Sequence, residues 1–394
     1  MFPAAMRRSV PILPATGLPD APACAPKGRG TGVAIAHRFQ AQGREQADDG
    51  WGPGDGDAGA DAAAAGAPRT EVREQRVGSL ISRNDSPDIP FELSINPYRG
   101  CEHGCIYCYA RPTHAYLDLS PGLDFETRLV AKVNAADVLR RELGARAYRP
   151  SPIAIGSVTD AYQPVERRLG ITRRILELLG QTRHPYTVIT KSAGIERDID
   201  LLAEAAAAQR AHAALSITTL DPALARILEP RAASPQRRLQ ALRRLSEAGV
   251  PVAVGIAPVI PFINDGDIEA IVQAAAEAGA SAVFHIVLRL PWEVAPLFRH
   301  WLQTHFPQRA ERVMARVQDL HGVAEAERQA HDGHAPRDYS AGFGSRMRGQ
   351  GPWAQLLSQR VARAARRAGM AQRMPALDSR GFIAPRDLVQ PSLF

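Results

Sequence analysis

The chain has 394 residues, of which 45% are hydrophobic and 23% charged, a balance typical of a globular protein. This length allows two or three domains, or one large domain with tails. No stretch approaches the ~18–20 consecutive apolar residues of a membrane span, and the segment after Arg8 is too short and proline-broken for a secretory leader. The net charge of +7 comes from 48 basic and 41 acidic residues, and all but three of the basic residues are arginines. This charge is compatible with a polyanionic partner and also with an ordinary solvated surface.

Residues 1–75 are expected to form a disordered tail. The run from Asp48 to Pro68 is almost entirely Gly, Ala, Asp and Pro. Such a segment buries too little apolar surface to offset the entropy that it would lose on ordering. The rest of the chain holds 40 basic and 32 acidic residues, so the positive charge belongs to the part expected to fold.

From about residue 90, short β-rich runs alternate with amphipathic helical stretches. The predicted strands are Glu92–Asn96, Pro152–Val158, Tyr186–Thr190, Ala213–Thr218, Val250–Val259 and Ala282–Leu288. The predicted helices between them are Ala131–Leu143, Thr172–Gly180, Ile195–Ala208, Pro235–Ala248 and Asp267–Ala278. This alternation predicts an α/β fold of parallel strands joined by helical crossovers. Six units fit a partial (β/α)6 barrel over residues 76–290 better than a short doubly wound sheet.

After Leu290 the pattern becomes helical, which predicts a helical C-terminal extension over residues 291–389. The predicted helices are Trp292–Phe306, Ala310–Leu320 and Trp353–Ala368, with a polar, glycine-rich loop over His331–Gly351. The last helix and the residues before it carry six arginines, Arg346, Arg348, Arg360, Arg363, Arg366 and Arg367. They suit a solvated helix face, and they would also suit contact with a phosphate backbone.

Three of the four cysteines, Cys101, Cys105 and Cys108, lie within eight residues of each other. So few cysteines argue against a disulfide-stapled secreted protein, and a cytoplasmic location is expected. Three thiolates at this spacing predict a metal site. A closed zinc site needs a fourth ligand, for which His103 or His114 is available. A four-iron cluster on three thiolates would instead leave one iron open to a small molecule.

The CxxxCxxC spacing, with Tyr107 just before its last cysteine, resembles the radical S-adenosylmethionine (SAM) superfamily. The resemblance implies a 4Fe-4S cluster on the three cysteines, S-adenosylmethionine on the open iron, and a 5′-deoxyadenosyl radical that abstracts hydrogen. It also implies a partial barrel of the radical SAM type and a reducing electron donor such as flavodoxin or ferredoxin. The motif follows the first strand of the β/α series, where barrel folds place their chemistry.

Further segments resemble the spore photoproduct lyase-like branch of that superfamily. They are Asn96–Cys101, Cys108–Arg111, Gly156–Glu166, Thr190–Ser192 and Ile256–Pro261. The resemblance covers about residues 90–290, and it implies a lyase-like enzyme acting on DNA, as in DNA repair.

The same resemblance implies cofactor contacts for four polar residues. Thr159 and Asp160, at the end of the second predicted strand, would contact the nucleoside or the amino-acid part of S-adenosylmethionine. Lys191, one of three lysines in the chain, ends the third strand and would hold the cofactor carboxylate as a point charge. Ser216, near the end of the fourth strand, would hydrogen-bond the same cofactor. The alternative for each of the four is an ordinary polar residue at the end of a strand, with no contact to a cofactor.

One position departs from the lyase pattern. The lyase has a cysteine near the end of the second strand that donates a hydrogen atom to the product. Here Ser157 stands at the comparable position, and its O–H bond is too strong to give up hydrogen easily. In the lyase, tyrosines are associated with this transfer of a hydrogen atom, and Tyr107 and Tyr109 match them. They are therefore candidate catalytic residues. The alternative is that both tyrosines only pack against the cluster. Cys24, in the expected tail, is not a natural replacement, so the substrate stays open.

The segment Gln390–Phe394, with the sequence QPSLF, resembles the pentapeptide that binds the bacterial sliding clamp. In that motif Gln anchors at a rim while Leu and Phe enter an apolar pocket. A sliding clamp is therefore an expected partner, and the alternative is a frayed apolar tail.

Three hypotheses on function follow from these features. The first is a radical SAM enzyme that acts on DNA. The second keeps the radical chemistry but directs it to RNA, a peptide or a small metabolite. The third is a non-catalytic module that carries zinc or a cluster and binds the clamp.

Overall fold

The computed structural model describes residues 25–39, 68–324 and 338–388. Its strands are β1 (Glu71–Gln75), β2 (Ser82–Arg83), β3 (Leu93–Ile95), β4 (Tyr98–Arg99), β5 (Arg128–Lys132), β6 (Ile153–Ile155), β7 (Tyr186–Thr190), β8 (Ala211–Ser216), β9 (Val252–Val259) and β10 (Ala282–Val287). A seven-stranded sheet has the order β10-β9-β8-β7-β6-β3-β2, and a second sheet has the order β1-β5-β4. Every neighbouring pair from β3 to β10 is parallel, and β2 is antiparallel to β3 at the edge.

The α-helices of the described residues connect and cover these strands. They are α1 (Asp124–Thr127), α2 (Ala135–Leu143), α3 (Glu166–Leu169), α4 (Ile171–Gln181), α5 (Ile199–Ala207), α6 (Pro222–Leu228), α7 (Pro235–Glu247), α8 (Ile268–Glu277), α9 (Val294–His305), α10 (Ala310–Leu320) and α11 (Gly351–Arg367). One or more helices lie between each successive pair of parallel strands. No helix among the described residues is long and apolar enough to cross a membrane.

The six parallel strands in sequential order confirm the predicted partial (β/α)6 architecture. Strands that are covered on both faces need apolar side chains along their whole length, and all six residues of β8 are buried. On the inner face the side chains are small, as at Ala214 and Ala253, and they pack with the ring of Phe284. A Cβ on Gly255 would lie 2.6 Å from that ring, so glycine lets Phe284 fill the interior.

The structure corrects two predicted element boundaries. The helix predicted from Ala131 begins at Ala135, because residues 128–132 form β5 between β1 and β4. The strand predicted over Pro152–Val158 ends at Ile155, because Gly156 turns the chain with a φ of 87°.

The prediction of a disordered tail over residues 1–75 is wrong for residues 25–39 and for β1. Residues 25–39, here called the strap, lie against the chain around residues 104–126. The N–H of Gly30 donates to Glu126, and the carbonyl of Val33 accepts from Leu123. Val33 and Ile35 are buried. Their apolar side chains give the strap a buried surface.

The helical extension shares its core with the barrel. Trp301 of α9 and Val317 of α10 belong to the same apolar cluster as Ile106 and Tyr107. The chain after α11 reaches β10, where Ala371 forms a bridge with Ala282. The expected clamp-binding segment, residues 390–394, and Cys24 lie outside the described residues.

Candidate active site

The residues predicted from the sequence gather at the carboxyl ends of the parallel strands. The cysteine loop, defined as residues 100–111, follows β4. Ser157 lies two residues beyond β6, Lys191 follows β7 directly, and Ser216 is the last residue of β8. These ends share one edge of the sheet, where barrel folds place functional side chains. The fold therefore brings the cysteines and the predicted cofactor-binding residues to one edge.

Two glycines allow the cysteine loop to press against the elements that support it. Gly100 and Gly104 have φ values of 76° and 66°, in the left-handed region that favours glycine. A Cβ on Gly100 would lie 2.7 Å from Cδ2 of Leu129, and one on Gly104 would lie 2.6 Å from Oε2 of Glu126. The loop therefore depends on glycine for its backbone angles and for its close contact with α1 and β5.

Arg111 holds the cysteine loop from inside. Its guanidinium is fully buried and donates to the carbonyls of Cys105 (3.0 Å), Gly104 (3.2 Å) and Gly122 (2.9 Å). It also forms a buried ion pair with Glu126. One side chain thus fixes the loop backbone at two successive positions and ties it to α1.

The three cysteines are free thiols that face a protein interior. Cys101 and Cys105 are buried, and Cys108 is half-buried. Burial raises the pKa of each thiol, and the positive charge of Lys191 opposes this rise at Cys105 and Cys108. Buried thiolates need compensating positive charge, which metal ions supply when they bind.

Backbone N–H groups are already directed at two of the sulfur atoms. Cys101 accepts a hydrogen bond from the N–H of Asp160, and Cys108 accepts from Ala110 and Arg111. Such hydrogen bonds stabilise thiolate ligands of iron–sulfur clusters and tune them. Among the described residues, no three His, Cys, Asp or Glu side chains are grouped as ligands of a single metal ion. A cubane cluster binds each cysteine at a different iron, so it does not require the sulfurs to converge on one point. The donor set therefore fits a 4Fe-4S cluster.

Asp160 is engaged within the protein. One carboxylate oxygen accepts from the hydroxyl of Thr190 (2.6 Å) and the N–H of Tyr162 (2.8 Å), and the other accepts from the N–H of Lys191 (2.7 Å). The ring of His103 lies 3.3 Å away. Burial alone would raise the pKa of Asp160, but His103 and these hydrogen bonds lower it to about 2. The carboxylate is thus ionised, and it positions the start of the segment that carries Lys191.

Lys191 and Ser216 keep more capacity for a ligand. The ammonium of Lys191 donates to the carbonyl of Ala257 at 3.2 Å and lies 5.8 Å from the centre of the Tyr107 ring. An ammonium has three donors, so two remain for a carboxylate. The Ser216 side chain is buried, and its hydroxyl has no hydrogen-bond partner among residues 25–39, 68–324 and 338–388.

Thr159 is buried next to Asn96 rather than pointing into open space. Its hydroxyl donates to the carbonyl of Tyr98 at 3.3 Å, and its N–H donates to the side chain of Asn96 at 3.2 Å. The same Asn96 amide oxygen accepts from Val158, and the Asn96 nitrogen donates to the hydroxyl of Ser157 at 3.3 Å. Asn96 therefore shapes the turn after β6.

The two candidate catalytic tyrosines have different environments. Tyr107 is buried, and its hydroxyl donates to Glu229 and contacts Thr218 at 3.3 Å. Glu229 also pairs with the fully buried Arg238. Burial would raise the pKa of Glu229, but Arg238, Lys191 and Thr218 lower it to about 2. Tyr107 thus belongs to a charged network beneath the cysteine loop.

Tyr109, by contrast, is 40% exposed. Its hydroxyl donates to the carbonyl of Ser157, and the guanidinium of Arg289 lies 4.5 Å from the centre of its ring. The second tyrosine therefore lies at the surface, next to Ser157, which the resemblance to the lyase-like branch aligned with the hydrogen-donating cysteine.

Sequence reasoning missed the residues that support the site. Arg111 and Asn96 lie inside motif segments, and their position beside the cysteines was a usable signal. No sequence signal indicated Glu126, Glu229 or Arg238. Glu229, for example, is 122 residues away from its partner Tyr107.

Residues 95–275 match the family model of the radical SAM superfamily. This segment contains the three cysteines, Lys191 and Ser216. The matched segment is therefore a radical SAM domain. Radical SAM domains use a 4Fe-4S cluster and S-adenosylmethionine, and these are the cofactors of this domain.

Curated relatives share more than the domain core. An uncharacterized protein of Mycobacterium tuberculosis is 38% identical over 226 residues, which cover 57% of this chain and 66% of the relative. An uncharacterized protein of Methanocaldococcus jannaschii is 29% identical over 217 residues, which cover 55% of this chain and 77% of the relative. The chain thus spans slightly under two thirds of the mycobacterial protein.

Solved structures of spore photoproduct lyase share the fold. A cysteine-to-serine mutant has a TM-score of 0.52 and 19% sequence identity, and the match covers 76% of this chain and 80% of the lyase. A double mutant with bound AdoMet and dinucleoside spore photoproduct has a TM-score of 0.52 and 17% identity over the same shares. The similarity confirms the radical SAM type of fold that the cysteine motif predicted.

Proposed function

We propose that this radical SAM enzyme abstracts a hydrogen atom from a nucleic acid, in repair or modification. The observation that carries the radical chemistry is the set of three thiols on one loop, two buried and one half-buried, with Lys191 beside it at the carboxyl edge of the barrel. When bound, the cluster and S-adenosylmethionine together supply a 5′-deoxyadenosyl radical. The surrounding interior keeps water away from the reacting atoms.

The side chains of this domain have separate tasks in the proposal. Cys101, Cys105 and Cys108 hold the cluster. Lys191 binds the cofactor carboxylate with its free donors, and Ser216 donates or accepts one hydrogen bond from the same molecule. Asp160 and Thr159 act mainly as positioning residues, because their polar atoms bond within the protein.

Nucleic acid is favoured as the substrate class by two observations. The fold agrees with a lyase described with a dinucleoside photoproduct, and the chain outside residues 1–75 has 40 basic against 32 acidic residues. Ser157 stands where the lyase has its cysteine, so we propose a substrate other than the spore photoproduct. We also propose a cytoplasmic location with flavodoxin or ferredoxin as electron donor, because a reducing compartment keeps the three thiols free.

Anaerobic reconstitution tests the proposal directly. The full chain should bind four iron and four sulfide per chain, as the three-thiolate site implies, and should form 5′-deoxyadenosine with S-adenosylmethionine and a reductant. Single-stranded DNA, duplex DNA and RNA with deuterated sugars and bases are then compared. Transfer of deuterium into 5′-deoxyadenosine identifies the substrate, and the triple variant Cys101→Ala/Cys105→Ala/Cys108→Ala is the control that should lose iron and turnover together.

Other outcomes of the same experiment select the alternatives. Deuterated peptides and small metabolites form a further arm, and deuterium transfer from these alone would contradict the nucleic-acid proposal and retain the radical enzyme. One tightly bound zinc with no cleavage of S-adenosylmethionine would instead support a non-catalytic module.

We propose a bacterial sliding clamp as a second partner, bound through Gln390–Phe394. Support comes from the sequence alone, since these residues lie outside the described structure. Deleting Leu393 and Phe394 should abolish capture of the chain by purified clamp, because these two side chains would fill its apolar pocket. Unchanged capture would contradict this role, and reconstituted SAM cleavage should stay at the level of the intact chain.

A further inference from the structure

The large exposed apolar side chains of the described residues are mostly aromatic, and the ring of each aromatic residue is in contact with an arginine. Large exposed apolar side chains are Phe39, Tyr109, Tyr116, Trp292, Phe343 and Leu356. A guanidinium lies between 4.4 and 5.5 Å from the ring centre of every one of the five aromatic residues. An arginine held over an aromatic face forms a cation–π contact with the ring.

Three of these rings share a single guanidinium. The central carbon of the Arg38 guanidinium lies 4.6 Å from the ring centre of Phe39, 5.5 Å from that of Tyr116 and 4.4 Å from that of Trp292. The three rings are 48%, 69% and 56% exposed, respectively. We call these four residues the aromatic platform.

A buried ion pair fixes the platform from beneath. The guanidinium of Arg38 pairs with Glu293 at 2.8 Å, and the backbone N–H of Arg38 donates to the same carboxylate at 3.1 Å. The side chains of Arg38 and Glu293 are only 7% and 8% exposed. The charge of Arg38 is therefore satisfied within the protein, and the rings that it holds are ordered before any ligand arrives. A pre-ordered surface loses less entropy on binding.

The platform lies on the side of the fold that carries the chemistry. Tyr116 belongs to the 3-10 helix Arg111–Leu117, which begins at the last residue of the cysteine loop. Trp292 lies five residues beyond the carboxyl end of β10. Between β10 and Trp292, Arg289 stacks on Tyr109 of the cysteine loop. In the described part of the chain, Arg289 has no carboxylate partner.

We infer that the aromatic platform stacks the unpaired bases of the nucleic-acid substrate. Exposed aromatic faces bind any base, because every base has a flat π-surface, whereas bases inside a duplex are already stacked. Arg289, with no carboxylate to neutralise it, would attract the adjoining phosphates. The inference rests on the proposed function and specifies its substrate as single-stranded or locally unpaired.

Binding to labelled DNA tests the platform in the reconstituted full chain. Fluorescence anisotropy compares one short single strand with the blunt duplex of the same sequence. We expect tighter binding of the single strand, and Tyr116→Ala and Trp292→Ala should each weaken it by about 5- to 150-fold, the range measured for loss of one base–aromatic stack. Trp292→Phe should bind nearly as well as the unaltered chain, because a stacking ring remains.

Leu356→Ala is the matched control, since it removes a large exposed side chain from α11 rather than from the platform. Its affinity should be unchanged. Equal affinity of all variants for the single strand, or equal losses for single strand and duplex, would overturn the inference. Melting curves of Tyr116→Ala and Trp292→Ala separate weaker stacking from impaired folding. Ring-dependent binding without deuterium transfer from any nucleic acid would support the platform and contradict the proposed reaction.

Discussion

Lys191 supplies a positive charge beside the cysteine loop, and its replacement gives the first prediction. Lys191→Met should weaken S-adenosylmethionine binding about tenfold or more, since a hydrogen bond to a charged group contributes about 1.5–3 kcal/mol. Lys191→Arg should weaken it less, because the charge remains while the compact point-charge geometry is lost. Titration calorimetry on the reconstituted protein measures both.

Lys132→Met is the control for that comparison. Lys132 is also a partly buried lysine, but it lies on β5, and burial lowers its pKa to about 8. Removing it should leave cofactor affinity unchanged. An unaltered dissociation constant for Lys191→Met would show that another group holds the carboxylate.

The two tyrosines of the cysteine loop should respond differently to loss of their hydroxyls. Tyr109→Phe should keep 5′-deoxyadenosine formation and lower the ratio of finished product to 5′-deoxyadenosine, because Tyr109 is the tyrosine exposed beside Ser157. Tyr107→Phe should instead destabilise the fold by about 1–3 kcal/mol, because Glu229 loses a buried donor. Product analysis and urea unfolding separate these effects. An unchanged ratio of product to 5′-deoxyadenosine in Tyr109→Phe would exclude Tyr109 from the transfer of hydrogen to the product.

At the scale of elements, Arg111 connects the cysteine loop to α1. Arg111→Met should destabilise the protein by about 3–5 kcal/mol, because it leaves Glu126 as an uncompensated buried charge. Reconstituted iron content should fall although all three cysteines are present. The double variant Arg111→Met/Glu126→Leu should recover part of the stability, because both charges are then gone. A double variant as unstable as the sum of its singles would argue against the pair as the cause.

The strap gives a second prediction at this scale. A Cβ on Gly30 would lie 1.8 Å from the carbonyl oxygen of Gly104, so Gly30→Ala must displace the strap from the cysteine loop. Overpacking of this kind costs about 1–3 kcal/mol, which makes local opening about 5- to 150-fold more frequent. The reconstituted cluster should then lose its visible absorption faster in air. Gly78→Ala, which has nothing within 4 Å, should match the unaltered protein.

The same elements show how far the sequence could predict the structure. The parallel strands were readable, because strands such as β8 and β9 are long apolar runs between clear helices. The strap was not predicted, because its apolar residues Val33 and Ile35 form a short run among Gly, Ala and Arg residues. Neither was the small sheet, because β1 has no buried residue and depends on pairing with β5, more than 50 residues later.

The residues of the site also divide into those that the sequence revealed and those that only the structure showed. Spacing alone revealed the three cysteines, and the scarcity of lysine drew attention to Lys191. The buried partners that hold them, such as Arg238 with Glu229, depend on folding to meet. Sequence therefore identified the groups that would bind cofactors, and only the structure showed what fixes them in place.

For the whole molecule, positive charge and aromatic surface are carried by different parts of the chain. The aromatic platform lies beyond the carboxyl ends of the strands, with its arginine neutralised by Glu293. On α11, Arg363, Arg366 and Arg367 are exposed and have no ion pair within the described ranges, whereas Arg360 pairs with Glu269 at 2.6 Å. A nucleic acid that met both surfaces would gain stacking from one and phosphate contacts from the other.

This division predicts how salt should affect DNA binding. For every phosphate that the protein no longer neutralises, the slope of log affinity against log salt becomes shallower by about 0.7–0.9. Arg363→Ala/Arg367→Ala should therefore reduce the slope by roughly twice that amount, while Arg360→Ala, which removes an arginine already paired, should leave it unchanged. Trp292→Ala should lower affinity at every salt concentration with the slope preserved, because stacking releases no counterions. Anisotropy titrations across a salt series measure the three variants beside the unaltered chain. An unchanged slope in the double variant would show that these arginines form a solvated face that binds no phosphate.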